Sequence, residues 1–123
     1  MRKIEIVVGD ASAVAVLAEN RTADVIYAAL PFAGQASRWG DEIYFEIPVE
    51  LAQADDARAL VEPGELGYWP VGHAFCIFWG PTPASEGDEP RAYSPVNVFG
   101  RLEGDPAAFD GVQGGTAVRV ERV

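Results

Sequence analysis

The run from Gly67 to Pro83 limits the possible folds more than any other stretch, because it holds two of the three tryptophans together with the one cysteine and the one histidine. From Ala74 to Gly80 it is apolar whichever way it faces. In an extended conformation Ala74, Cys76 and Phe78 lie on one side and Phe75, Ile77 and Trp79 on the other. A strand that is apolar on both faces needs a packed layer against each of them. Gly67 to Pro83 therefore reads as a buried hairpin at the centre of a barrel.

The rest of the chain supplies strands for those layers. Ile4, Ile6 and Val8 alternate along a half-buried strand, Gly9-Asp10 provides a two-residue turn opening on glycine, and Ser12 to Ala18 returns antiparallel. Asn20 is a good N-cap, and Ala23, Ile26, Tyr27 and Leu30 recur at the spacing of one helical face before Pro31 ends the segment. Gly34 to Trp39 and Glu42 to Pro48 follow as strands. In the second, Ile43, Phe45 and Ile47 share one face, and Glu42, Tyr44 and Glu46 share the other. Val49 to Glu62 is an acid-rich connection, and Pro81 to Pro95, with four prolines, reads as a long irregular loop. Val96 to Leu102 is again a strand, Asp105-Pro106 opens a predicted short helix over Ala108, Phe109 and Val112, and Thr116 to Val123 is the last strand. About eight strands without crossover helices argue for an antiparallel barrel, with the two short helices covering its ends.

A chain of 123 residues has room for one domain, residues 1–123. The formal net charge of −10 disfavours nucleic acid and anionic membranes as partners, since like charge repels this surface. No apolar run approaches a membrane span, and a single cysteine allows no internal disulfide, so a cytoplasmic setting is the expectation. Cys76 reads as a packed thiol.

Few residues offer chemistry. His73 lies in a turn with no nucleophilic serine motif nearby. Glu42 and Glu46 flank Tyr44 on one strand face, so they fit either a solvated edge or a pair of working carboxylates. The acidic run Glu86 to Glu89 lacks the ligand order of a calcium loop, and no metal or cofactor site is expected. The aromatic set Trp39, Tyr44, Tyr68, Trp69, Phe78 and Trp79 is large for a small barrel, and some of these rings are expected to line a cleft.

Several motifs resemble one family. Gly9-Asp10 followed by Ala13 to Leu17, and Glu19 to Asp24 opening a helix, resemble the start of cyclophilins. Asn97-Val98-Phe99-Gly100-Arg101-Leu102-Glu103-Gly104 is similar to a later cyclophilin segment. Trp39 to Phe45, Gly67 to Pro70 and Phe78 to Pro83 resemble a short prokaryotic cyclophilin-like family of about this length with no assigned reaction. The resemblance implies a mainly β fold, a closed eight-stranded antiparallel barrel with two short capping helices. Proline isomerase cyclophilins carry Phe-His-Arg and Phe-Met-x-Gln-Gly-Gly segments, and neither occurs here. Arg38, just ahead of Trp39, is the one candidate to replace the missing arginine.

These observations lead to an expected site for a small molecule or short peptide in an aromatic, acid-rimmed pocket. Its candidate residues are Arg38, Trp39, Glu42, Tyr44, Glu46, Tyr68, Trp69, Phe78, Thr82 and Asn97, the neutral polar groups Thr82 and Asn97 being placed by analogy with the barrel. The alternatives are a carboxylate-dependent lyase or hydrolase, and a weak peptidyl-prolyl isomerase. The expected assemblies are a homodimer or a complex with an amide-processing enzyme subunit, since cyclophilin-like barrels also occur in such subunits.

Overall fold

The structure is a computed structural model that describes all 123 residues. β1 (Lys3–Val8) and β2 (Ala11–Leu17) pair across the Gly9-Asp10 turn, with Gly9 at a φ of +61°, a conformation that favours glycine. α1 (Arg21–Ala29) begins where the Asn20 side chain accepts a hydrogen bond from the Ala23 amide at 2.9 Å. The other strands are β3 (Phe32–Gln35), β4 (Ser37–Arg38), β5 (Glu42–Glu46), β6 (Arg58–Leu60), β7 (Glu65–Trp69), β8 (Ala74–Phe78), β9 (Arg91–Leu102) and β10 (Ala117–Arg122).

All pairings are antiparallel, and the sheet runs β3, β10, β1, β2, β9, β7, β8, β5, β4, with β6 attached to the early part of β9. The expected eight-stranded closed barrel is corrected to ten strands in a sheet whose hydrogen-bonded ladder does not close. Its two ends are still neighbours in the chain. Only Ala36 separates β3 at one end from β4 at the other, and a Cβ on Gly34 would lie 3.3 Å from the Phe45 ring. A bent covalent segment joins the ends where a barrel would use ladder bonds.

The second expected helix is also absent. Residues 105–112 form successive turns in which Ala108, Asp110 and Val112 donate to carbonyls three residues back. Arg38 binds the carbonyl oxygens of Asp110 and Val112, acceptors that a continuing helix would use for itself. Phe109 and Val112 still bury into the core. The irregular stretch after β8 is shorter than predicted, because β9 starts at Arg91 and runs through Pro95.

β8 is buried along its whole length, as its composition requires. Phe75 and Ile77 point into the main core with Ile4, Ile6, Phe45, Leu66 and Phe99, where the Phe75 ring lies 5.2 Å from Phe45 and 5.1 Å from Phe99. Ala74, Cys76 and Phe78 point the other way, into a smaller cluster with Val61, Ala92 and Val96. The first arm of β9 thus covers the outer face of β8. That cover lies close because β7 carries Gly67, where an added Cβ would be 2.6 Å from Val96 Cγ2.

Replacing Gly67 with alanine should therefore push β9 away from β7. A loss of about 1–3 kcal/mol, read as a lower urea midpoint at unchanged m, is the expected outcome. An unchanged midpoint would mean that Val96 repacks freely.

Candidate functional site

Alternation along β5 sends Ile43 and Phe45 into the core and leaves Glu42, Tyr44 and Glu46 on the outer face. On β8, Glu42 faces Phe78, Tyr44 faces Cys76 and Glu46 faces Ala74. One strand further, Gly67 is opposite Cys76 and Trp69 opposite Ala74. The β4–β5 turn brings Trp39 beside this face, its amide donating to the Glu42 carbonyl at 2.9 Å. The first arm of β9 closes over it with Ala92, Tyr93 and Val96.

The space between them is a half-open cavity of about 180 Å³. Trp39, Tyr44, Trp69 and Tyr93 supply its rings, Glu42 and Cys76 its buried polar groups, and Ala92 and Val96 the remaining lining. Tyr93 is 75% exposed and meets Trp39 and Trp69 edge to face, with centroid distances of 6.1 and 6.0 Å. The Trp69 indole N–H donates to Ser94 Oγ at 2.6 Å, which fixes that ring against β9. Four roomier hollows, among them one beside Gly9-Asp10 and one beside Arg21 and Asp24, hold no buried titratable group.

Glu42 is 5% exposed, and no Lys, Arg or His side chain lines the cavity with it. The Cys76 thiol lies beside it and also reaches the Ala74 carbonyl oxygen, at 3.8 Å. Burial pushes the carboxyl from its ordinary 4.5 up to about 8, and the thiol contact draws it back in part. Burial, and then the adjacent Glu42, push Cys76 well above the usual thiol range. At neutral pH the cavity therefore holds a protonated carboxyl and an unreactive thiol.

Of the ten residues singled out from sequence, four line this cavity: Trp39, Glu42, Tyr44 and Trp69. Phe78 lies beneath it in the outer cluster. Glu46 is exposed and lies outside the lining. Tyr68 points the opposite way from Trp69 into the main core, where its hydroxyl donates to the Val49 carbonyl at 2.6 Å and accepts from the Leu51 amide. Asn97 is buried against the 51–56 segment, accepting from the Ala54 amide at 2.8 Å and donating to Ala52 and Thr22. Thr82 holds its loop together through the Arg91 carbonyl and the Ala84 amide. The Arg38 guanidinium sits 5.0 Å over Trp79 and binds Asp41 at 3.1 Å, besides the carbonyls of Asp110 and Val112.

Tyr93, Ala92, Val96 and Cys76 complete the lining without having been expected there. The alternation of Ala92, Ser94 and Val96 was a strand signal, hidden by Pro95. No three His, Cys, Asp or Glu side chains gather where they could share a metal ion.

A family model described as cyclophilin-like matches residues 2–121, so the chain belongs to the cyclophilin-like family. The solution structure of the hypothetical protein AF2241 from Archaeoglobus fulgidus is similar over 99% of this chain and 95% of its own, with 38% identity and a TM-score of 0.85. No curated protein matches. Family and neighbour together define a cyclophilin-like domain of unassigned function. No helix is long and apolar enough to cross a membrane.

The raised Glu42 value has a consequence for stability. The unfolded chain releases this proton near pH 4.5 and the folded chain near 8, so the contribution is complete below that window and lost as pH rises through it. The stability of the native chain minus that of Glu42→Gln should fall by about 1.4 kcal/mol per pH unit across the window and then level off. Urea titrations at several pH values would measure this, and a difference independent of pH would overturn the assignment.

Proposed function

We propose that residues 1–123 act as one domain that binds a compact small molecule, or a side chain of a short peptide, in the cavity over β5 and β8. The observation that carries this reading is Glu42, a carboxyl removed from water, without a basic partner, in a space lined by rings. Burial of such a group lowers stability unless something else is gained, and perturbed titration within a cleft is a common mark of a working site. The cavity's volume suits one compact group, since a dry cavity of about 150 Å³ accepts benzene. Glu42 would supply the polar contact that orients the occupant.

A second reading makes Glu42 a general base in a lyase or hydrolase. Its titration near 8 favours this, because a base tuned close to working pH combines the right protonation state with driving force. Glu46, exposed outside the lining, is not part of either reading. Prolyl isomerisation through Arg38 has less support, because that guanidinium is already engaged by Asp41, Asp110 and the Trp79 ring.

We infer a cytoplasmic setting from the single cysteine, and partners other than nucleic acid or anionic membrane from the net charge of −10. A homodimer, or assembly with an amide-processing enzyme subunit, remains our proposal for its higher-order state.

The test is a thermal-shift screen of small ring compounds and amines on the native chain, Tyr44→Ala and Trp69→Ala. Ligands that stabilise the native chain should lose most of their shift in both variants, each of which stays folded by circular dichroism. Shifts that persist undiminished in both would place binding elsewhere.

A further inference from the structure

Guanidinium groups already lie over two of this protein's rings. Arg38 is 5.0 Å from the Trp79 centroid, and Arg2 and Arg122 are 5.0 and 5.1 Å from that of Tyr27. The four rings of the cavity have no such partner. Of the basic side chains nearest in sequence, Arg38 is held by Asp41 and Asp110, and Arg91 by Glu89 at 3.2 Å. Trp39, Tyr44, Trp69 and Tyr93 thus surround a space lined also by a carboxyl group and by no basic side chain.

We propose that this cavity is a cage for an alkylated ammonium group, an inference that rests on the small-ligand reading above and names its chemical class. A cation within about 6 Å of a ring face is attracted by the ring's quadrupole, and the attraction grows as water is excluded. Edge-to-face packing of Tyr93 against Trp39 and Trp69, at 69° and 78°, leaves ring faces unstacked. Glu42 adds the compensating negative charge. A protein with a net charge of −10 also draws cations toward its surface.

Alkylation follows from the lining. A primary ammonium carries three N–H donors, and apart from Glu42 this cavity offers it mainly rings and methyl groups, so donors would be buried unsatisfied. A trimethylammonium group needs no acceptors and presents a compact apolar surface to the rings. The cavity of about 180 Å³ has room for one such head group.

Binding a cation beside Glu42 favours its carboxylate form, so the occupant enters as a proton leaves. The titratable groups facing Glu42 are Tyr44 from its own strand, Cys76 from β8, whose thiol burial pushes well above its usual range, and Tyr93 from β9. Affinity should rise with pH up to about 8, where Glu42 ionises in the free protein, and level off above it.

The experiment is calorimetric titration of the full chain with choline and with dimethylbutanol, its uncharged isostere in which carbon replaces the ammonium nitrogen. Choline should bind at least about tenfold more tightly than the isostere, and Glu42→Gln should remove most of that preference and its pH dependence. Trp69→Phe, which keeps a ring, should weaken choline binding less than Trp69→Ala. Equal binding of choline and its isostere, lost in Trp69→Ala, would overturn the cation cage and leave the small-ligand reading standing. Choline binding weaker than about 10 mM would also overturn the cage, whatever the wider screen finds.

Discussion

The side chains of β8 pack into two apolar layers at once, and the architecture follows from that demand. Phe75 and Ile77 anchor the main core, while Ala74, Cys76 and Phe78 need cover on the outer face. That cover is the first arm of β9, held close by the space at Gly67 and tethered through Trp69 to Ser94. It is incomplete. Where Phe78 and Val96 leave off, rings stand around an unfilled space with Glu42 at its base. Strand order thus puts a carboxyl group into a partly dry environment that would not arise on an open sheet face.

Most polar groups near this region serve the fold. Tyr68 and Asn97 pin the chain between Val49 and Ala54, Thr82 and Ser85 brace the loop that precedes β9, and Arg38 ties the β4–β5 turn to Asp110. In the same loop, the backbone amides of Glu86 and Gly87 hold the Glu89 carboxyl down to about 2. These contacts satisfy their polar atoms, and no buried side-chain nitrogen or oxygen lacks a partner. Glu42 differs in that its carboxyl faces the cavity rather than a nitrogen or hydroxyl donor, with the Cys76 thiol beside it.

Much of the fold was legible because alternation is a local signal. The β1–β2 hairpin, the Asn20 cap, the inward face of β5 and the double burial of β8 all follow from residue spacing. The grouping of Glu42 with Tyr44 came from the same rule, as did Trp39 beside the turn. Other features depend on distant partners. Tyr68 was grouped with Trp69 although adjacent strand residues face opposite ways, and it went to the core. The sequence around Phe109 carries a helix start signal, but the carbonyls of Asp110 and Val112 are claimed by Arg38, more than seventy residues earlier. Pro95 concealed the early part of β9, and with it Tyr93. Asn97, Thr82 and Arg38 looked available because sequence does not reveal which backbone groups will occupy them.

On this reading Glu42 sits protonated among rings at neutral pH. Carbon-13 NMR of the side-chain carboxyl, assigned by comparison with Glu42→Gln and followed across pH, reads this directly. One glutamate carboxyl should titrate with a midpoint near 8, present in the native chain and missing from the variant. A Glu42 midpoint near the ordinary 4.5 would contradict it.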